Sequence, residues 1–138
     1  MKTKTAVIII ATVAIIFGIF YFYPCNCTPV VVDNKNIKVY SPSANMVVHS
    51  PFVVTGEAVG NWFFEASFPV VLMDSNGKVI AQSPAKTKSD WMTTKMIPFE
   101  STLKFGTTTS TGTLVLKKDN PSGLPANDDS ISIPVRFK

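Results

Sequence analysis

A single histidine and two cysteines are all that 138 residues offer of the side chains most used for metal binding and nucleophilic chemistry. Both cysteines, Cys25 and Cys27, precede the region with folding signals, so the core of that region must hold without a disulfide. A bridge between positions i and i+2 would be strained, because disulfides prefer Cα atoms about 5.5–6 Å apart. Cys-x-Cys with only His49 elsewhere is short of the ligands a structural metal site needs, so no metal and no cofactor is expected. A hydrolase requires a nucleophile, a base and a group that orients the base. His49, isolated between two strand starts, reads as a surface residue, and no catalytic residue is assigned. Glu57, Glu65 and Glu100 are the acids to weigh for glycoside cleavage, which needs carboxyls about 5–9.5 Å apart, and nothing in the spacing sets them so. Basic runs interleaved with aromatics are also missing, which argues against nucleic acid as a partner. The formal charge of +4 includes Lys2 and Lys4; the rest carries eleven basic residues against nine acids.

What is present begins at residue 5. Thr5 to Tyr23 is a 19-residue block without one charge, preceded by Lys2 and Lys4. As a helix it would span roughly 28 Å, close to the bilayer's hydrocarbon core. A lone segment in lipid must satisfy its backbone internally, which selects a helix. The lysines keep the N-terminus cytoplasmic and send the rest outward. Residues 1–24 are therefore expected to be a membrane anchor, 25–36 a linker and 37–138 one extracytoplasmic domain. A cleaved signal peptide fits less well, since the apolar stretch is long and lacks a small-x-small site. In that reading the domain is secreted. A lipoprotein acylated at Cys25 would want small residues where Phe22-Tyr23-Pro24 stand. Acylation, an interchain disulfide and inert thiols all stay open for Cys25 and Cys27.

Beyond residue 36 short apolar runs alternate with turn residues, the pattern of a β-sandwich. Seven strands are expected. They are Ile37–Tyr40, Phe52–Thr55, Trp62–Met73, Lys78–Gln82, Ile97–Phe105, Thr113–Lys117 and Ser130–Phe137. Gly56 and Gly60 suggest a bulge or turn before the longest of them. That strand is apolar on both faces except at Glu65 and Ser67, so it belongs in the middle of a sheet, with Glu65 a buried or interfacial carboxylate. Pro69 predicts a bulge or break within it. Asp74-Ser75-Asn76-Gly77 reads as a hairpin turn rather than a calcium loop, whose later ligands are absent. Pro134 suits an edge position in the last strand.

Trp62 and Trp91 are the candidates for a recognition surface, because a tryptophan face can stack on a sugar or anchor a protein contact. Core packing is the competing role for both. Phe63, Phe64 and Phe68 read as core. The runs Val54-Thr55-Gly56-Glu57-Ala58, Asn61 to Val70, Asp90-Trp91-Met92, Ile97-Pro98-Phe99, Asp119-Asn120-Pro121-Ser122-Gly123-Leu124-Pro125 and Ile133-Pro134-Val135-Arg136-Phe137 together resemble the immunoglobulin-like domain associated with bacterial spore germination. The resemblance covers nearly all of Ile37 to Phe137. It implies an immunoglobulin-like antiparallel sandwich in a bacterial envelope protein and brings no catalytic residues with it. The expected function is a non-catalytic, membrane-anchored binding or scaffolding module, with an envelope protein or glycan as partner. The alternative is a homo-oligomeric structural accessory that assembles through a sheet edge or the juxtamembrane cysteines.

Overall fold

A computed structural model describes residues 32–138. The expected anchor, most of the linker, Cys25 and Cys27 lie outside the described residues. Among the described residues no helix is long and apolar enough to cross a membrane.

The described chain is all-β. Its strands are β1 (Val32–Asp33), β2 (Ile37–Ser41), β3 (Val47–Val48), β4 (Phe52–Val59), β5 (Ser67–Asp74), β6 (Val79–Lys86), β7 (Met96–Leu103), β8 (Thr111–Lys117) and β9 (Ser130–Phe137). They form one curled mixed sheet in the order β1-β2-β4-β7-β6-β5-β8-β9-β3. Neighbours are antiparallel except β3 and β9, which run parallel. The seam between β7 and β6 is a single pair, Lys86 opposite Glu100. The sheet folds over along that seam, consistent with an immunoglobulin-like sandwich.

Alternation explains why these segments are strands. Successive strand side chains point to opposite faces. In β7, Ile97, Phe99, Ser101 and Leu103 are buried while Pro98, Glu100 and Thr102 are exposed. β9 repeats the rule with Ile133 and Val135 inward. The central strands break it: Val71 on β5 and Val115 on β8 are buried as well as their neighbours, and the two lie directly opposite each other in the ladder.

The core is organised around Phe68. Its ring meets Trp62 edge-on at 5.6 Å between centroids, Phe63 at 5.0 Å and Phe99, on β7, at 5.0 Å. Edge-to-face pairs suit the ring quadrupoles and add about 0.5–1.5 kcal/mol each beyond area burial. A second aromatic group, Phe52, Phe105 and Phe137, closes the opposite end.

The sequence reading of one strand from Trp62 to Met73 is corrected. A 3-10 turn, Gly60–Trp62, and a two-residue turn at Glu65-Ala66 precede β5, which starts only at Ser67. Three consecutive aromatics cannot share one face of a strand, and here the chain turns to bury Trp62 and Phe63 while Phe64 faces out. Pro69 causes no bulge. It lies opposite Pro84 of β6, next to the hydrogen-bonded pairs, and β8 pairing begins one residue later at Val70. Neither missing N–H therefore costs a ladder bond. The register shift falls instead between Leu72 and Met73. Gly56 lies inside β4 rather than ending it. The hairpin at Asp74–Gly77 forms as expected: Gly77 has φ 78°, and Asp74 Oδ1 accepts from the N–H groups of Asn76 and Lys78. His49 is exposed.

Candidate functional site

Three loops converge at the pole where β4 ends and β5 begins. The Gly60–Trp62 turn is their hub. Its glycine makes a close approach possible: a Cβ there would lie 2.2 Å from the Trp91 carbonyl oxygen and 2.0 Å from that of Thr93. On the other side the Trp62 carbonyl accepts from the Asp119 N–H at 3.0 Å. The turn between β4 and β5 is thus packed closely against the backbone of the β6–β7 connection and hydrogen-bonded to that of the β8–β9 connection.

Each loop then organises itself. In the β6–β7 loop Asp90 Oδ1 accepts from the Met92 N–H at 3.0 Å, an Asx turn that lifts Met92 outward. In the β8–β9 loop the Asn120 amide donates to the Leu124 carbonyl at 2.9 Å and to Asp128 Oδ1 at 2.7 Å. Asn127 donates to Ser122 Oγ at 3.0 Å, and Lys118 Nζ to the Asn127 carbonyl at 3.0 Å. Asn36 reaches across to Asp129 at 3.0 Å. With its polar groups satisfied internally, this loop holds Leu124 in the open.

The hairpin tip between Phe64 and Ser67 is strained. Phe64 and Ser67 exchange both backbone bonds, at 2.9 and 3.1 Å, around Glu65 with φ 50° and Ala66 with φ 62°. Two positive φ values mark a type I′ turn, which normally takes Asn-Gly. Left-handed conformation costs an L-residue roughly 1–2 kcal/mol. The double change Glu65→Asn/Ala66→Gly should therefore raise stability by about 1–2 kcal/mol. Denaturant unfolding checks it; unchanged or lower stability would show that the turn carries no strain.

The tryptophan candidates separate. Trp62 is 0% exposed, so it is a core residue and is withdrawn as a recognition residue. Its indole Nε1 has no partner among the described residues, a cost accepted for its ring packing. Trp91 is half-buried against the same core. The two do not form a shared exposed face. Glu65, expected in a sheet, is exposed on the turn. Sequence reasoning missed what the pole does expose: Met92 at 77%, Leu124 at 60% and Phe64 at 43%. The signal was available in Phe64, whose place in a run of three aromatics conflicts with strand alternation.

Beside this pole, on the outer face of β2, β4 and β7, lies a cleft of about 400 Å³. Tyr40, Glu57, Pro98, Glu100, Lys86 and Lys88 are among the residues that line it. Tyr40 donates its hydroxyl to Glu57 Oε2 at 3.0 Å. That bond, with smaller help from desolvation and the carboxylate's charge, raises the Tyr40 phenol above its ordinary value. Among the described residues no group of three or more His, Cys, Asp or Glu side chains is arranged to hold a metal ion.

The described residues form a curled β-sandwich-like body with ordered loops at one pole. Residues 36–123 match the family model described as immunoglobulin-like domain of bacterial spore germination. The chain belongs to that family. Membership points to a non-catalytic binding or structural module. Neither the search of curated proteins nor that of solved structures finds a match.

Proposed function

We propose that this protein is a membrane-tethered, extracytoplasmic binding or scaffolding module of the bacterial cell envelope, meeting an envelope protein through its loop pole. One observation carries the reading. The loops bearing Phe64, Met92 and Leu124 meet at one buried turn, by chain continuity, close backbone packing and a hydrogen bond respectively, and they leave the two most exposed large apolar side chains of the described residues at that pole. Apolar side chains held out by ordered backbone are what a protein interface uses, with Met and aromatics enriched in its core.

The tether remains the sequence's contribution, through the uncharged block at residues 5–23. The chain enters β1 antiparallel to β2 and therefore running toward the loop pole. Sheet-edge assembly, the alternative, is less well supported at one edge: β3, which ends the strand order there, is two residues long, and short edge strands discourage edge pairing.

The location is tested with Met92→Cys and Lys78→Cys, each in a Cys25→Ser/Cys27→Ser background, using a membrane-impermeant maleimide. Both sites should label in intact cells. Labelling only after permeabilisation would place the domain inside and refute the envelope role.

A further inference from the structure

The cleft on the outer sheet face has a charge arrangement of its own. Glu57 on β4 and Glu100 on β7 supply carboxylates, and Lys86 at the end of β6 and Lys88 just beyond it supply ammonium groups. Lys86 and Glu100 are directly opposed across the seam, so positive and negative charge stand side by side there. The Tyr40 hydroxyl fixes Glu57 through Oε2, which leaves Oε1 for a ligand donor. Tyr40, 47% exposed, and Pro98 offer apolar ring surface between the charges. At about 400 Å³ the cleft falls within the size range of small-ligand sites.

Chemistry narrows the occupant. A polyanion would meet two carboxylates and a polycation two ammonium groups, so neither suits. A neutral saccharide would use none of the four charges. An amphoteric chain that lies across the strands, from β4 and β7 toward the end of β6, can place an amine near the glutamates and a carboxylate near the lysines, which satisfies both sets and covers the rings. We infer that this cleft is a binding site for a short peptide carrying both free amino and free carboxyl groups, held by Glu57 and Glu100 at one end and Lys86 and Lys88 at the other. Its walls come from β2, β4, β7 and the end of β6, so it does not depend on the exposed apolar trio.

The test uses the full chain in lipid nanodiscs and titration calorimetry with alanyl-glutamyl-lysyl-alanine, free at both termini. Its acetylated, amidated alanyl-glutaminyl-glutaminyl-alanine counterpart and chitotetraose serve as the neutral-peptide and saccharide arms. The free peptide should bind and the other two should not. Glu100→Gln and Lys86→Gln should each weaken binding about five-fold, the worth of one solvent-exposed charge pair near 1 kcal/mol. Lys78→Gln, on the distant hairpin, should leave it unchanged. Raising salt should weaken it further, since these charges are exposed. Equal binding of the capped peptide, preference for chitotetraose, indifference to both charge variants, or no binding of the free peptide at millimolar concentration would each overturn the assignment. The Met92 and Lys78 labelling experiment reports on location alone, so failure here and failure there are distinguishable.

Discussion

Phe68→Ala should cost the domain about 3–5 kcal/mol, the range for deleting a buried aromatic ring. Phe68 is 1% exposed and touches Trp62, Phe63 and Phe99 edge-on, so its loss removes three aromatic contacts and opens a cavity where the two halves of the curled sheet meet. The neighbours come from a 3-10 turn, the following residues and β7, three places that cannot close in together. Domains of this size are stable by only about 5–15 kcal/mol, so the variant should sit near the edge of folding. Equilibrium unfolding in urea measures it. Phe68→Leu should recover more than half of the loss, because it refills most of the volume. A loss below about 1 kcal/mol for the alanine variant would mean that the core is not organised around this ring.

Gly60→Ala is the second large effect, and it acts on the pole rather than the core centre. A methyl group at this position would collide with two carbonyl oxygens, those of Trp91 and Thr93, and backbone cannot swing aside as a side chain can. Overpacking of this kind costs about 1–3 kcal/mol and displaces what it meets. Two readouts should therefore move together. Stability falls by about 2–3 kcal/mol, and Trp91 emission shifts to the red as its half-buried ring loses its seat on the core. Trp62 is the only other tryptophan, and Trp62→Phe supplies the background that isolates the Trp91 signal. Loss of stability without any shift in Trp91 would place the damage elsewhere and separate the hub from its loop.

Much of the sheet could be read from residues in order. Strands such as β7 and β9 obey strict alternation, and their inward sets, from Ile97 to Leu103 and from Ile133 to Val135, emerge where the period-2 pattern puts them. β5 is central as its two-sided apolar character requires. The failures share one physical cause. Between Gly60 and Ser67 the chain reverses through two tight turns, and a reversal swaps the faces on which later residues lie. Phe64 and Glu65 consequently leave the positions that a continuous strand would give them, and the aromatic and the acid both end in solvent. No Asn-Gly announces the turn, because Glu65 and Ala66 occupy left-handed positions that local preference disfavours. Tertiary packing of Trp62 and Phe63 overrides that preference.

The pole was legible only in pieces. Asp90-Trp91-Met92 and Asn120 to Pro125 stood out as motifs, yet their meeting depends on the Asp119 bond to Trp62 and on the space left by Gly60, contacts between residues far apart in sequence. Trp62 drew attention for its chemistry and was used instead for its volume. The cleft was hidden for a similar reason. Tyr40, Glu57 and Glu100 come from three strands whose neighbourhood is set by the β2-β4-β7 order, and that order is not encoded in any local run.

The claim that partners are met at the loop pole faces its most direct test in living cells. A photo-crosslinking amino acid, p-benzoylphenylalanine, is introduced at Met92, at Leu124 and, on the opposite end, at Lys78, followed by irradiation and separation by mass. Discrete adducts from positions 92 and 124, with none from 78, are the predicted result. Adducts confined to position 78 would contradict it and move the interface to the other end of the domain.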